Sequence, residues 1–332
     1  MMKKRGEVLL GIVLAISLML LPVAATAGKY NIKLAHNLPA TKFSLYQQAA
    51  LKFQDLVQKN SKGQITVQIF PAAQLGSDVS VAKKVQSGAV EAEIITANKL
   101  GSFYPAIDLY SLPFLLNGFD QAAKVFATPI HQTLIKELGK KTGLKSLAFV
   151  GAGFRNITNS KHPVNKPADL KDLKIRVPKN KIEIATFNAL GANPVNIPGS
   201  ELFSALQQRV VDGQDGSAEW AFAKKVYEVQ KYLAVTHHML STSTLVINAR
   251  FFASLPADLQ KVLIDAGLKT QAAWQSASKE ADTVVIGRFK EKGMEITYPD
   301  LKPFVNAVKP VYSEFATRVG GMDRIDAVLA VK

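Results

Sequence analysis

The sequence predicts an α/β protein of two domains. Two observations carry that prediction. Period-two apolar stretches alternate with stretches at helical spacing through the first hundred residues. A second series of the same kind begins near residue 146, with no internal repeat or flexible linker between them. In order, residues 31–36 place Ile32 and Leu34 between polar positions, a short strand. Residues 41–59 set Phe43, Tyr46, Ala50, Phe53, Leu56 and Val57 at helical spacing. Ile65, Val67 and Ile69 share one face of a strand that Pro71 ends, a helix covers about 79–86, and 90–95 is a third strand. The second series has strands at 146–150 and 173–177 and helices at about 182–190 and 201–208. A strand at 244–248 then precedes a helical pattern over 257–292, interrupted only by Gly267 and Gly287 and long enough to bridge both domains.

Composition narrows the function. Lys3, Lys4 and Arg5 precede an apolar run over 8–21, followed by Pro22 and the small triplet Ala25-Thr26-Ala27. That order is a secretory signal peptide, with cleavage expected after Ala27. The run has 14 residues, short of the roughly 20 a membrane-spanning helix needs. The mature chain of 305 residues has no cysteine, which excludes disulfides, a thiol nucleophile and a lipid on an N-terminal Cys. Of the formal charge of +15, Lys3, Lys4, Arg5 and Glu7 account for +2, leaving +13. The cations are scattered and not interleaved with aromatics, so they read as a solvated surface that steers anions and not as a nucleic-acid site.

In Leu173-Lys-Ile-Arg-Val-Pro178 the period of two sends Leu173, Ile175 and Val177 to one face and Lys174 and Arg176 to the other. Arg176 then ends a buried strand with a planar fork free for a carboxylate; a salt bridge to a protein carboxylate fits the same pattern equally well. Arg155, after Gly151-Ala-Gly153, is expected on a loop past a strand end, where binding residues gather. Those glycines form a partial dinucleotide fingerprint whose third glycine is replaced by Asn156. His237 and His238, being adjacent, aim apart and read as structural. No H-E-x-x-H, G-x-S-x-G or phosphate-binding loop is present, so catalysis has no support, and no cofactor or metal is expected.

The chain resembles the solute-binding proteins of tripartite ATP-independent periplasmic (TRAP) transporters. The resemblance spans the mature chain. It rests on Phe70-Pro-Ala-Ala-Gln-Leu-Gly76, Leu112-Pro-Phe-Leu115, Arg155-Asn-Ile-Thr-Asn159, Asp169-Leu-Lys-Asp-Leu-Lys-Ile-Arg-Val-Pro178, Gly191-Ala-Asn-Pro-Val195, Ser200-Glu-Leu-Phe-Ser-Ala-Leu206, Val211-Asp-Gly-Gln214 and Glu228-Val-Gln-Lys-Tyr232. It implies a type II-like periplasmic binding protein whose two domains close on a ligand cleft, with a long helix spanning both. Under it the expected domains are 28–150 with about 241–280, and 151–240 with about 281–332. It further implies a small organic carboxylate held by Arg176 with help from Arg155, delivery to a two-component membrane permease, and a monomer. A sensor module, or a periplasmic enzyme acting on an organic acid, is the alternative use of such a site.

Two positions depart from the family pattern. Asp212-Gly-Gln-Asp-Gly-Ser217 stands where the family commonly reads Asp-Gly-Gln-Glu-Asn-Pro, so Gly216 replaces an asparagine that often touches ligand. Gly199 stands where an aromatic is common. Trp220 is expected to fill the vacated space or to stack on the ligand, and the lost volume suggests a bulkier or flatter ligand than a C4-dicarboxylate. Relatives that bind 2-oxo or 2-hydroxy acids also carry a Glu-Trp pair here, as Glu219 and Trp220 do. Gln214, Asp215, Asn98 and Phe154 complete the candidate ligand-binding set.

Overall fold

The computed structural model describes residues 29–332; the expected signal peptide at 1–27 lies outside the described residues. β1 (Tyr30–His36), β2 (Ile65–Phe70) and β3 (Ala92–Thr96) are parallel neighbours, with Ile32 opposite Val67 and Leu34 opposite Ala92. Parallel pairing needs crossovers. They are α1 (Leu45–Asn60) and α2 (Asp78–Ser87). α1 starts at Leu45, later than the pattern from residue 41 predicts, because the Ser44 side chain accepts the Gln47 N–H at 3.1 Å and caps the first turn. α2 stops at Gly88, whose φ of +86° suits glycine.

α3 (Phe119–Phe126) and α4 (Pro129–Thr142) lead into β4 (Leu144–Asn159), and β5 (Lys174–Val177), α5 (Lys181–Ala189), β6 (Asn193–Asn196), α6 (Leu202–Gln207), β7 (Gly213–Ser217) and α7 (Ala218–Ala223) follow. β8 (Tyr232–Asn248), α8 (Ala249–Ser254), α9 (Ala257–Glu291), β9 (Glu295–Thr297), α10 (Leu301–Val319) and α11 (Met322–Leu329) complete the chain. One sheet runs in the order β2-β1-β3-β8-β4-β7-β5-β6, with β9 added to β8.

β4 and β8, 16 and 17 residues long, are antiparallel partners that run through both halves of the sheet. One end of β8 pairs with β3 and one end of β4 pairs with β7. The sequence showed only their apolar ends at 146–150 and 244–248; Gly151 to Gly153 belong to the strand. The pairing register breaks between Ser146 and Ala148, between Gly151 and Phe154 and again between Arg155 and Ile157. Backbone N–H groups freed there are taken by side chains of α9: Gln271 accepts from Phe149 at 2.9 Å, Gln275 from Gly151 at 3.0 Å and Asp282 from Phe154 at 3.0 Å.

α9 has 35 residues, about 52 Å at 1.5 Å per residue, and packs on β4, α1 and α7. Its approach to β4 is so close that a Cβ on Gly267 would collide with the Leu147 carbonyl. Gly267→Ala is therefore expected to lower stability by about 1–3 kcal/mol despite the better helix propensity of alanine, a loss that thermal unfolding would show.

Alternation along the strands feeds two cores. Ile95 and Val246 join α2, α3, α4, α5, α10 and α11 on one face, and Ile94, Leu245 and Ile247 join α1, α6, α7 and α9 on the other. Among the described residues, no helix is long and apolar enough to cross a membrane.

Candidate functional site

β5 carries Arg176 to the middle of the molecule. Ile175 and Val177 are buried in the first core, so the period of two turns Arg176 to the opposite side, where Pro178 ends the strand. The side chain is buried, at 2 % exposure, and its Nε donates to the Ile197 carbonyl at 2.8 Å. Its guanidinium lies 5.7 Å from the centre of the Trp220 ring. Among the described residues, no carboxylate comes within ion-pair distance of it. Burial, then the like charge of Arg155, pull its pKa down to about 10. Of the two readings the sequence left open, the internal salt bridge is absent. A buried guanidinium with no protein counter-ion among the described residues has the chemistry to take an anion.

Arg155 is the opposite case. It sits inside β4, opposite Ser217 and Met239, and not on the loop that the two glycines suggested, because the bulges keep the strand going through them. Its Nε donates to Asp215 Oδ1 at 2.9 Å and its Nη2 to Glu183 Oε2 at 2.9 Å. His238 Nε2 meets the same Asp215 oxygen at 2.9 Å, so one of the paired histidines belongs to this cluster. Burial opposes ionisation of Asp215, but Arg155 and His238 outweigh it and hold the carboxyl well below the usual range. Burial drives Glu183 up to about 8, with Asp215 adding to the rise against Arg155. Charge is thus balanced inside the cluster, one Asp215 anion to one Arg155 cation. Arg176 is left with none.

The cap of α5 ties this cluster to the other half of the sheet. Asn180 accepts the N–H groups of Ile182 and Glu183 and donates to the Asn98 carbonyl at 2.9 Å and to Asp108 at 2.7 Å. Asn98, in the turn Ala97–Ser102 after β3, donates to Glu183 while its own Oδ1 has no partner. Lys99 beside it pairs with Asp78 at 2.7 Å, and Asp78 also accepts from Asn37. A cleft of about 340 Å³ opens here, lined by Asp78, Lys83, Lys99, Arg176 and Lys179 among others, an excess of cations. Next to it is a small chamber of about 20 Å³, walled by Asn98, Arg155, Arg176, Asp215, Gly216 and Trp220.

Both departures from the family pattern meet at Trp220. A Cβ on Gly199 would stand 3.1 Å from Trp220 Cζ2, and one on Gly216 3.2 Å from Cε3 and 2.7 Å from Gln214 Oε1. The indole occupies the volume that both glycines vacate, which is the first of the two roles expected of Trp220. Gln214 is fully buried and donates to Thr158 at 3.2 Å, outside the chamber wall. Phe154 packs in the core between Phe119, at 5.7 Å, and His237, at 4.8 Å. Glu219 accepts from Ser217 at 2.6 Å and lines a separate void of about 10 Å³ with Trp220 and Ser241. The sequence missed Asp78, Lys99, Glu183 and Ser241, the last a wall of the chamber; each is one polar residue in an ordinary helix, turn or strand, and only tertiary contacts, such as Lys99 with Asp78 across 21 residues and Arg155 with Glu183 across 28, bring them together.

A cleft between sheet halves with a counter-ion-free arginine in its wall defines a protein that captures an anionic solute. The chain belongs to the bacterial extracellular solute-binding proteins, family 7, whose pattern it matches over residues 34–318. It is similar to the 2,3-diketo-L-gulonate-binding periplasmic protein YiaO of Escherichia coli, at 34% identity over 78% of this chain and 79% of that one. It is similar also to the C4-dicarboxylate-binding periplasmic protein DctP of Rhodobacter capsulatus, at 30% identity over 94% and 93% of the two chains. A TRAP periplasmic solute binding protein from Polaromonas sp. JS666, solved bound to D-erythronate, superposes with a TM-score of 0.87 at 32% identity, covering 91% of this chain and 99% of that one. The resemblance to TRAP solute-binding proteins and the α/β fold that it implies both hold.

Proposed function

We propose that the protein captures a small organic carboxylate in the periplasm, fixes it on Arg176, and hands it unchanged to a two-component TRAP permease. The observation that carries this is the contrast between two adjacent buried arginines, one fully paired and one free. The ligands named for the three relatives, a diketo sugar acid, C4-dicarboxylates and D-erythronate, are all small organic acids. In this reading the segments 28–150 with about 241–280, and 151–240 with about 281–332, are lobes that close over the ligand. Closure excludes water, and the charged hydrogen bonds strengthen as the surroundings lose their dielectric. Arg155, held by Asp215 and Glu183, positions the wall beside the carboxylate.

The test is a thermal-shift screen of short organic acids on the mature protein. Ligand at a hundred times its Kd stabilises by about 2.7 kcal/mol, a readily seen rise in Tm. Absence of any response across mono- and dicarboxylates would overturn the reading. The same screen tests whether Trp220 limits ligand size: Trp220→Ala frees the space beside Gly199 and Gly216, so bulkier acids that leave the wild type's Tm unchanged are expected to raise the variant's. If the accepted sizes do not change, Trp220 does not set the limit.

A further inference from the structure

Asn180, which caps α5 and so fixes Glu183 beside Arg155, is itself held by a buried polar cluster. Its Nδ2 donates at 2.7 Å to Asp108 Oδ1, in the turn Pro105–Ser111 that follows β3 and the Asn98 turn. Asp108 is fully buried, and its Oδ2 accepts from Arg318 Nε at 2.7 Å. Arg318 comes from α10, which packs on α5 and on the Asp108 turn alike, and its Nη2 donates to the Gly101 carbonyl at 2.8 Å. A Cβ on Gly101 would collide with the Asp108 carboxyl, so the backbone there is shaped around this group. Among the described residues Arg318 is the one cation within ion-pair distance of Asp108. Lys99, Glu183 and His238, on other elements packed against the turn, have partners of their own in Asp78, Arg155 and Asp215.

We propose that Asp108, oriented by Arg318, is a positioning residue of the ligand site: by holding Asn180 it fixes the chain that leaves β5, and with it the aim of the Arg176 fork at the ligand's carboxylate. The proposal rests on the carboxylate reading above. Only Val177, Pro178 and Lys179 separate Arg176 from Asn180. The same Asn180 Nδ2 also donates to the Asn98 carbonyl, so one side chain sets both the start of α5 and the turn that walls the chamber. Stability does not account for the cluster. Burial pushes the Asp108 pKa up to about 6, against the pull of Arg318 and the hydrogen bond from Asn180, so keeping the carboxyl ionised at neutral pH carries a desolvation cost. Apolar residues of similar volume in place of a buried ion pair are often neutral or stabilising. What the pair supplies is a defined geometry, and the geometry it defines is the entry to α5 next to the free arginine.

The experiment is calorimetric titration with D-erythronate and with succinate, well below the melting temperature, on the wild type, Arg318→Met, Arg318→Lys and Gly267→Ala, with Arg318→Met repeated in an Arg176→Lys background. Expected is a Kd raised about tenfold by Arg318→Met, within the coupling found between residues of one hydrogen-bonded network. Arg318→Lys, which keeps the charge but not the reach to both Asp108 and the Gly101 carbonyl, should fall between. Gly267→Ala loses stability away from the site, and its Kd should stay at the wild-type value. In the Arg176→Lys background there is no fork to aim, so Arg318→Met should cost clearly less affinity than in the wild type. An Arg318→Met that lowers Tm and leaves Kd unchanged has a structural role only and overturns the proposal. So does an equal loss in both backgrounds, or a Kd raised as much by Gly267→Ala. Should Arg318→Met fail to fold, an unchanged Kd in Arg318→Lys overturns it in the same way. Acids that bind the wild type and are weakened by Arg176→Lys leave the carboxylate reading standing whatever Arg318 does; acids that bind neither protein, or both alike, overturn that reading and the proposal with it.

Discussion

Arg176→Ala is expected to weaken binding of the organic acid by roughly a hundredfold or more, measured as Kd. A bidentate fork makes two charge-assisted hydrogen bonds, each contributing about 1.5–3 kcal/mol, and 1.4 kcal/mol is tenfold in affinity. The variant is expected to fold well. Because Arg176 has no internal counter-ion and is 2 % exposed, its removal relieves a desolvation cost, and the ligand-free Tm should hold or rise. Arg176→Lys keeps the charge but loses the planar fork, so its Kd should lie between the two. An unchanged Kd in Arg176→Ala would remove the arginine from the site.

The second large effect is on stability. Asp215→Ala leaves the Arg155 cation buried without its nearest anion, and the loss of one partner of such a pair costs about 3–5 kcal/mol. For a chain of this size that is a fall in Tm of about 6–10 °C by calorimetry. Glu183 moderates the loss. Its carboxyl lies 2.9 Å from Arg155 and is held neutral by burial and by the Asp215 charge; with Asp215 gone it can ionise and take over as partner. Glu183→Gln alone should therefore cost little, while the double variant should lose clearly more than the sum of the singles. Simple additivity would show that Glu183 is no reserve anion.

Much of this architecture was legible from residue patterns, and the exceptions have physical causes. β1 to β3, β5 and α9 announced themselves because their burial faces are apolar at the period of the element. β4 and β8 were visible only at their apolar ends. Their remaining lengths, through Gly151 to Gly153 and Thr236 to Thr244, are polar or glycine-rich and are strand only because each satisfies the other's backbone, with help from α9. Arg176 could be found because Ile175 and Val177 fix its direction. Its freedom from an ion pair could not, since that depends on where Asp215 and Glu183 lie, and they lie on Arg155. Gly199 and Gly216 read as lost volume until the position of the Trp220 ring was known.

Three segments, β4, β8 and α9, carry the chain from one half of the sheet to the other, so neither half is a continuous stretch of sequence. No single exchange of a gene fragment can replace one wall of the cleft and leave the other intact. Ligand preference in such a chain must diversify through individual codons, and positions such as Gly199, Gly216 and Trp220, which compete for one volume, are free to change only in step with one another.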